Sequence, residues 1–151
     1  MKIAIGSDHA GYGLKEIIKN NLQEKGFDIK DFGTDSTEST DYPDFAMKVG
    51  EAVVAGDFER GILVCGTGIG ISIAANKVPG VYCGLVGDCF SAKASRWHNN
   101  TNIIALGARV IGPGLALDIV DTWLGTEFKG GRHQRRIDKI TEIEKRYLVK
   151  N

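Results

Sequence analysis

Several features that place a chain quickly are missing here. Cysteine is scarce: three residues, at 65, 83 and 89, an odd number with no Cys-x-x-Cys spacing. That argues against a disulfide framework and a zinc site, and fits a reducing cytosol. Neither sign of charge is in excess. Lys and Arg number 19 against 19 Asp and Glu, so no basic face for nucleic acid is implied. No apolar run approaches the roughly 20 residues of a membrane span. The opening Met1-Lys2-Ile3-Ala4-Ile5 leads straight into a strand, and no signal peptide is expected. Repeats, linkers and low-complexity tracts are absent.

Glycine is plentiful, 20 of 151 residues, which suits tight turns and close backbone approaches. The length fits one domain, 1–151, with a core of its own. Strands are expected at Lys2–Ile5, Phe27–Phe32, Gly61–Val64, Val81–Val86 and Ile103–Leu106. Leu14, Ile17, Ile18 and Leu22 fall at helical spacing, as do Phe45, Val49 and Val53 after Pro43. Further helices are expected at Ser91–Asn99, from Gly112-Pro113 through Leu124, and over a last segment with Ile137, Ile140, Ile143 and Tyr147 on one face. Regular alternation of strand and helix predicts a three-layer, Rossmann-like α/β sandwich with a five-stranded parallel sheet. Ligands bind such sheets beyond the carboxyl ends of the strands, where the strand order reverses. In a 2-1-3 arrangement, strands one and three flank that point.

The third strand runs into Cys65-Gly66-Thr67-Gly68-Ile69-Gly70-Ile71-Ser72. Its aliphatic run Ile62-Leu63-Val64 marks a strand buried on both faces. The glycine-alternating turn opens a helix, and N–H groups at a helix start favour negative charge. A thiol placed there loses its proton more readily than a free one. The stretch reads as a nucleophile or base beside an anion cradle. Ile71 spoils a Gly-x-Gly-x-x-Gly dinucleotide pattern, and no Gly-Lys-Ser/Thr makes a nucleotide P-loop. Ile71 also stands where a cysteine phosphatase would carry its Arg. A tight turn with a structural cysteine is the plainer alternative.

Asp8-His9 ends the first strand and offers a carboxylate and an imidazole, although Asp8 also suits a helix cap. His98-Asn99 closes a helix, an ordinary polar end. Tyr42-Pro43 alone is a loop-to-helix junction. Arg132 and Arg136 are four apart, on one side of a helix start after Gly130-Gly131. With His133 and Arg135, they set positive charge at the positive end of a helix dipole, which calls for an anion such as phosphate. The alternative is a solvated face paired with acids such as Asp138. Arg109, after the fifth strand, joins them or is structural.

Gly6-Ser7-Asp8-His9-Ala10-Gly11, Asp41-Tyr42-Pro43, the run Cys65 to Lys77, His98-Asn99 and Gly130-Gly131-Arg132-His133 occur in that order. Together they resemble the type B ribose-5-phosphate isomerases, of the wider RpiB/LacA/LacB sugar-phosphate isomerase family, over essentially the whole chain. The resemblance implies reversible conversion of ribose 5-phosphate to ribulose 5-phosphate through an enediolate, without cofactor or metal. It implies that Cys65 moves the proton between C1 and C2. Thr67 and His98, with Asp8, would open the furanose ring. Asn99 and the turn of Gly66, Gly68, Gly70 and Ser72 would hold the enediolate. His9, Arg109, Arg132 and Arg136 would bind phosphate, with Tyr42 lining the sugar pocket. It also implies a cytoplasmic homodimer or dimer of dimers, with sites shared between subunits. Trp97 and Asn100 beside His98 depart from the acidic residues common in that family.

Allose or galactose 6-phosphate is the nearest alternative substrate. A flavin-binding module would need aromatic side chains to stack on the ring, and Tyr42 and Trp97 are the only candidates. A family member turned non-catalytic is the third reading, against which Cys65, His98 and Asp8 stand.

Overall fold

Ile62, Leu63 and Val64 are all fully buried, as a run without polar alternation requires, yet they divide between two cores. The computed structural model describes residues 1–148. In it these residues form the middle of strand β3 (Arg60–Cys65). Successive side chains on a strand point to opposite faces. Ile62 and Val64 join Ile3 and Ile5 of β1 (Lys2–Ser7) and Ile104 and Leu106 of β5 (Ile103–Gly107) on one face. Leu63 and Cys65 join Ala4, Ile103 and Ala105 on the other.

Five strands, all parallel, lie in the order β2-β1-β3-β5-β4, with β2 at Asp28–Asp31 and β4 at Cys83–Leu85. Helices α1 (Tyr12–Glu24), α4 (Cys89–Asn99) and α5 (Pro113–Leu124) supply the first core with Leu14, Ile18 and Leu22, with Ala92, and with Ile119 and Trp123. Helices α2 (Tyr42–Val54) and α3 (Ile69–Ala75) supply the second, through Ala46, Val49 and Val53 and through Ile71 and Ala75. Each fully buried Leu, Ile or Val side chain contributes about 1.5–3 kcal/mol of transfer free energy. The two cores hold the sheet between them, giving the three expected layers.

The reversal of strand order lies between β1 and β3, as expected. The position of β5 is the new finding: it inserts between β3 and β4, so its carboxyl end meets that of β3, with Cys65 opposite Gly107. β4 is shorter than the run Val81–Val86 suggests. The last helix, α6 (Arg132–Tyr147), departs further. Of its apolar stripe only Ile137 is buried; Ile140, Ile143 and Tyr147 are 47%, 58% and 78% exposed. Among the described residues no helix is long and apolar enough to cross a membrane.

Candidate active site

The loops after β1 and β3 meet at the switch point. Asp8 N–H donates to Val64 O at 3.3 Å, and Asp8 Oδ1 accepts Gly11 N–H at 3.0 Å. Asp8 is 5% exposed. It therefore shapes the entry into α1 and also lies beside the cysteine strand. Cys65 is 4% exposed, and its Sγ accepts the N–H of Gly68 at 3.1 Å. That bond needs the chain to double back at once, and Gly68 does so in the left-handed region, at φ +79°. Thr67 is exposed, its Oγ1 accepting Ile69 N–H at 3.2 Å.

Ser72 is buried and donates its hydroxyl to Ile69 O at 2.7 Å, so that hydrogen is spent inside α3. The Tyr42 ring packs on Gly70, where a Cβ would come within 2.6 Å of Cζ. Arg109 N–H donates to Gly66 O at 2.9 Å, and its side chain flanks Gly66. Gly107 has no room for a side chain: a Cβ there would sit 2.6 Å from Thr67 O. His9 is held to Thr40, an arrangement with no sequence signal. Asp8, His9, Tyr42, Cys65, the Gly66–Gly70 turn, Ser72 and Arg109 thus belong to loops and helix starts at the carboxyl ends of β1, β3 and β5.

His98, Asn99, Arg132 and Arg136 form a second group. They line a cavity of about 260 Å³ with His133, Ile137 and Ile140. His98 stacks on His133 with ring centroids 4.5 Å apart. α4 stops here because Asn100 takes the left-handed conformation, φ +48°, and its Oδ1 accepts Arg96 Nη1–H at 2.9 Å. Arg96 also donates to Thr101 O and Thr126 O. Burial, with the charge of Arg60, pushes Arg96 down to about 10. Trp97 lies beneath two ammonium groups, Lys129 at 3.8 Å and Lys93 at 4.2 Å from the ring centroid. The two departures beside His98 therefore have local roles: Asn100 terminates α4, and Trp97 seats the Lys129 segment.

The two groups lie at opposite ends of the sheet. α4 leaves the carboxyl end of β4 and returns to the amino end of β5, so its last residues are a helix length from Cys65. Eleven residues at 1.5 Å each make that roughly 16 Å. Arg109 stays with Cys65 rather than joining Arg132 and Arg136.

Exposed Arg132 and Arg136 face no carboxylate; among the described residues neither they nor Arg109 form an ion pair. Asp138 accepts from Gln134 instead. His133 is held below the ordinary imidazole value by desolvation, then by the charges of His98, Arg132, Arg136 and Lys129. This group is a concentrated cationic surface. No cluster of three or more metal-ligating side chains occurs among the described residues.

Residues 3–140 match the Ribose/Galactose Isomerase family. The chain belongs to that family. It is 52% identical over 145 residues to ribose-5-phosphate isomerase B of Escherichia coli, covering 96% of this chain and 97% of the relative. The fold superposes on Clostridium thermocellum ribose-5-phosphate isomerase B with a TM-score of 0.97 at 59% identity, over 98% of this chain and 100% of that one. It also superposes on Mycoplasma genitalium ribose-5-phosphate isomerase B with bound ribulose-5-phosphate, at TM-score 0.91 and 45% identity, covering 95% and 96%. The resemblance read from the motifs is thereby borne out at the level of the family and the fold.

Proposed function

We propose that this member of the ribose/galactose isomerase family interconverts ribose 5-phosphate and ribulose 5-phosphate in a single isomerase domain. The observation that carries the reading is Cys65: a nearly buried thiol at the carboxyl end of the central strand, its sulfur fixed by Gly68 N–H at 3.1 Å. The thiolate takes the proton from C2 of the open-chain aldose and returns it to C1. Electron density moves onto the C1 oxygen as the C1–C2 enediolate forms; the C2 hydroxyl proton passes to that oxygen, C2=O forms, and the C1–C2 double-bond electrons take up the proton at C1. Backbone N–H groups of the Gly66–Gly70 turn other than those of Gly68 and Ile69, which are bonded within the turn, serve that developing charge, a role worth about 10²–10³-fold per donor in preorganised sites. Asp8, Thr67 and His98 serve ring opening; His9, Arg109, Arg132 and Arg136 hold phosphate, with Tyr42 and Asn99 along the sugar.

These roles need two chains. Within one subunit His98, Asn99, Arg132 and Arg136 are at the far end of the sheet from Cys65. A two-fold homodimer brings one group from each subunit together, and the exposed stripe on α6 offers apolar surface for it. The three free cysteines support a cytoplasmic setting. The flavin alternative is weakened because Tyr42 is occupied by Gly70 and Trp97 by two lysines.

An isomerase assay with ribose 5-phosphate, allose 6-phosphate and galactose 6-phosphate tests the activity. Ribose 5-phosphate is expected to have the highest kcat/KM. Faster turnover of either hexose phosphate would reassign the substrate, and no turnover of any would remove the activity.

A further inference from the structure

The segment between β2 and α2 is lashed at both ends to the end of β1. At its start, Ser7 N–H donates to Gly33 O at 2.5 Å and Thr34 N–H donates to Ser7 O at 2.6 Å. Lys15, fully buried, donates to Thr34 O and to both oxygens of Asp31, at 2.9 and 2.7 Å. Asp31 in turn accepts Gly33 N–H at 2.8 Å. At the segment's far end, His9 N–H donates to Thr40 Oγ1 at 3.1 Å, and Thr40 N–H donates to His9 Nδ1 at 3.1 Å. Residues 37–39, 41 and 42 are exposed; Thr40 among them is half-buried.

The second Thr40 bond decides the state of the imidazole. A ring nitrogen that accepts an N–H carries no proton itself. In the neutral ring the proton is then on Nε2, which is left as a donor. Without Thr40 either nitrogen could carry it, and the ring could turn.

We infer that Thr40 is a positioning residue: its reciprocal hydrogen bonds fix His9 as the Nε2–H tautomer and present that N–H as a donor to the substrate's phosphate oxygens. The inference rests on the sugar-phosphate isomerase reading. The dianionic phosphate that predominates above its second pKa of about 6 only accepts, so a ring offering it a bare nitrogen would repel it. Lys15 and Asp31 act one step further out, holding the segment that carries Thr40. Burial would raise Asp31, but hydrogen bonds from Lys15, Gly33 N–H and Lys19 hold it below the ordinary carboxylate value. The anchor therefore stays ionised across neutral pH.

Two measurements test this. Long-range ¹H–¹⁵N spectra of histidine-labelled protein in alkaline buffer, assigned with His9→Gln, read the tautomer without any substrate. Wild type is expected to show a bare Nδ1 and a protonated Nε2, and Thr40→Val a mixture. In kinetics, Thr40→Val should raise KM for ribose 5-phosphate about three- to tenfold with kcat within about twofold, the pattern of a lost binding contact. Thr40→Ser, which keeps the hydroxyl, should restore both readings. A bare Nε2 in wild type overturns the inference, even if Thr40→Val fails to fold. So does Thr40→Val with wild-type KM and tautomer, or with a loss confined to kcat. A wild-type chain with the Nε2–H tautomer but no isomerase activity would count against the proposed reaction while supporting the hold of Thr40 on the ring.

Discussion

The two halves of the candidate site are built by different means. The Cys65 half is buried and made largely of backbone: Cys65 and Asp8 are 4% and 5% exposed, and Gly68 and Gly107 permit turns that no larger residue fits. The α4–α6 half is exposed and made of long cationic side chains around the His98–His133 stack. The hydrogen bonds of the first half close on themselves within one chain. The second presents its charge outward, and under the proposed function it works against the other subunit's Cys65 half. The proposed chemistry needs fixed atoms and falls to the rigid, backbone-bonded half; recognition of a charged group tolerates long, exposed side chains.

The comparison is broken most severely at Cys65. Cys65→Ala should lower kcat by about 10²–10⁴-fold with KM little changed, the range for loss of a positioned base. Iodoacetamide should inactivate the enzyme, with ribose 5-phosphate protecting. Burial pushes Cys83 up to about 12, so it should react slowly, and a Cys89→Ser background removes the remaining thiol. Near-normal turnover by Cys65→Ala in that background would return the stretch to a well-made turn.

Gly107→Ala tests whether the rigid half depends on close backbone approach. The added methyl meets Thr67 O, and overpacking of that kind costs about 1–3 kcal/mol. The expected readout is a lower denaturation midpoint together with weaker turnover. An unchanged midpoint and rate would show that the Thr67 turn yields freely.

On the cationic half, Arg136→Ala should raise KM about tenfold or more, since charge-assisted hydrogen bonds are worth about 1.5–3 kcal/mol. Mixing it with Cys65→Ala joins the two halves. In a two-fold dimer, half of the randomly mixed pairs carry one intact site, so with substrate well below KM about a quarter of wild-type activity should return. A monomer in sedimentation at working concentration, or no recovery after verified subunit exchange, would refute shared sites.

The smallest effect is at His133. Its folded value lies below the ordinary 6.5, so the unfolded chain takes up the proton first. The fold is therefore destabilised as pH falls through 6.5, and the penalty vanishes above it. An NMR titration should give a midpoint below 6.5 in phosphate-free buffer, rising when phosphate binds. A midpoint at or above 6.5 without phosphate would contradict the cationic crowding.

Much of the rigid half was legible in the sequence because its signals are local. Ile62-Leu63-Val64 announces a buried strand, and the glycines after Cys65 announce a turn. The pairing of that turn with Asp8-His9 followed from the 2-1-3 rule. The neighbour of Cys65 across β5 did not, because nothing in a strand's own residues says which strand it will lie beside. Arg109 therefore stayed ambiguous, and Gly107 and Thr40 went unnoticed. His98 was legible as a chemical group but not in its place. Only the direction of α4 shows that it is at the wrong end of its own sheet. The α6 stripe was read correctly as apolar, but periodicity carries no information on whether its cover is the same chain or another.

The position of β5 also constrains the order of assembly. When β4 has emerged during synthesis, the strand that will separate it from β3 is still to be made. Until Ile103–Gly107 slots in, β3 has an unpaired edge, and Cys65 lacks the neighbour that closes its turn. An incomplete chain therefore exposes a hydrophobic strand edge, the type of surface that recruits other strands. Insertion of β5 covers that edge and sets Gly107 opposite Cys65 in one event, so the exposed strand is paired at the same step that closes the Cys65 turn.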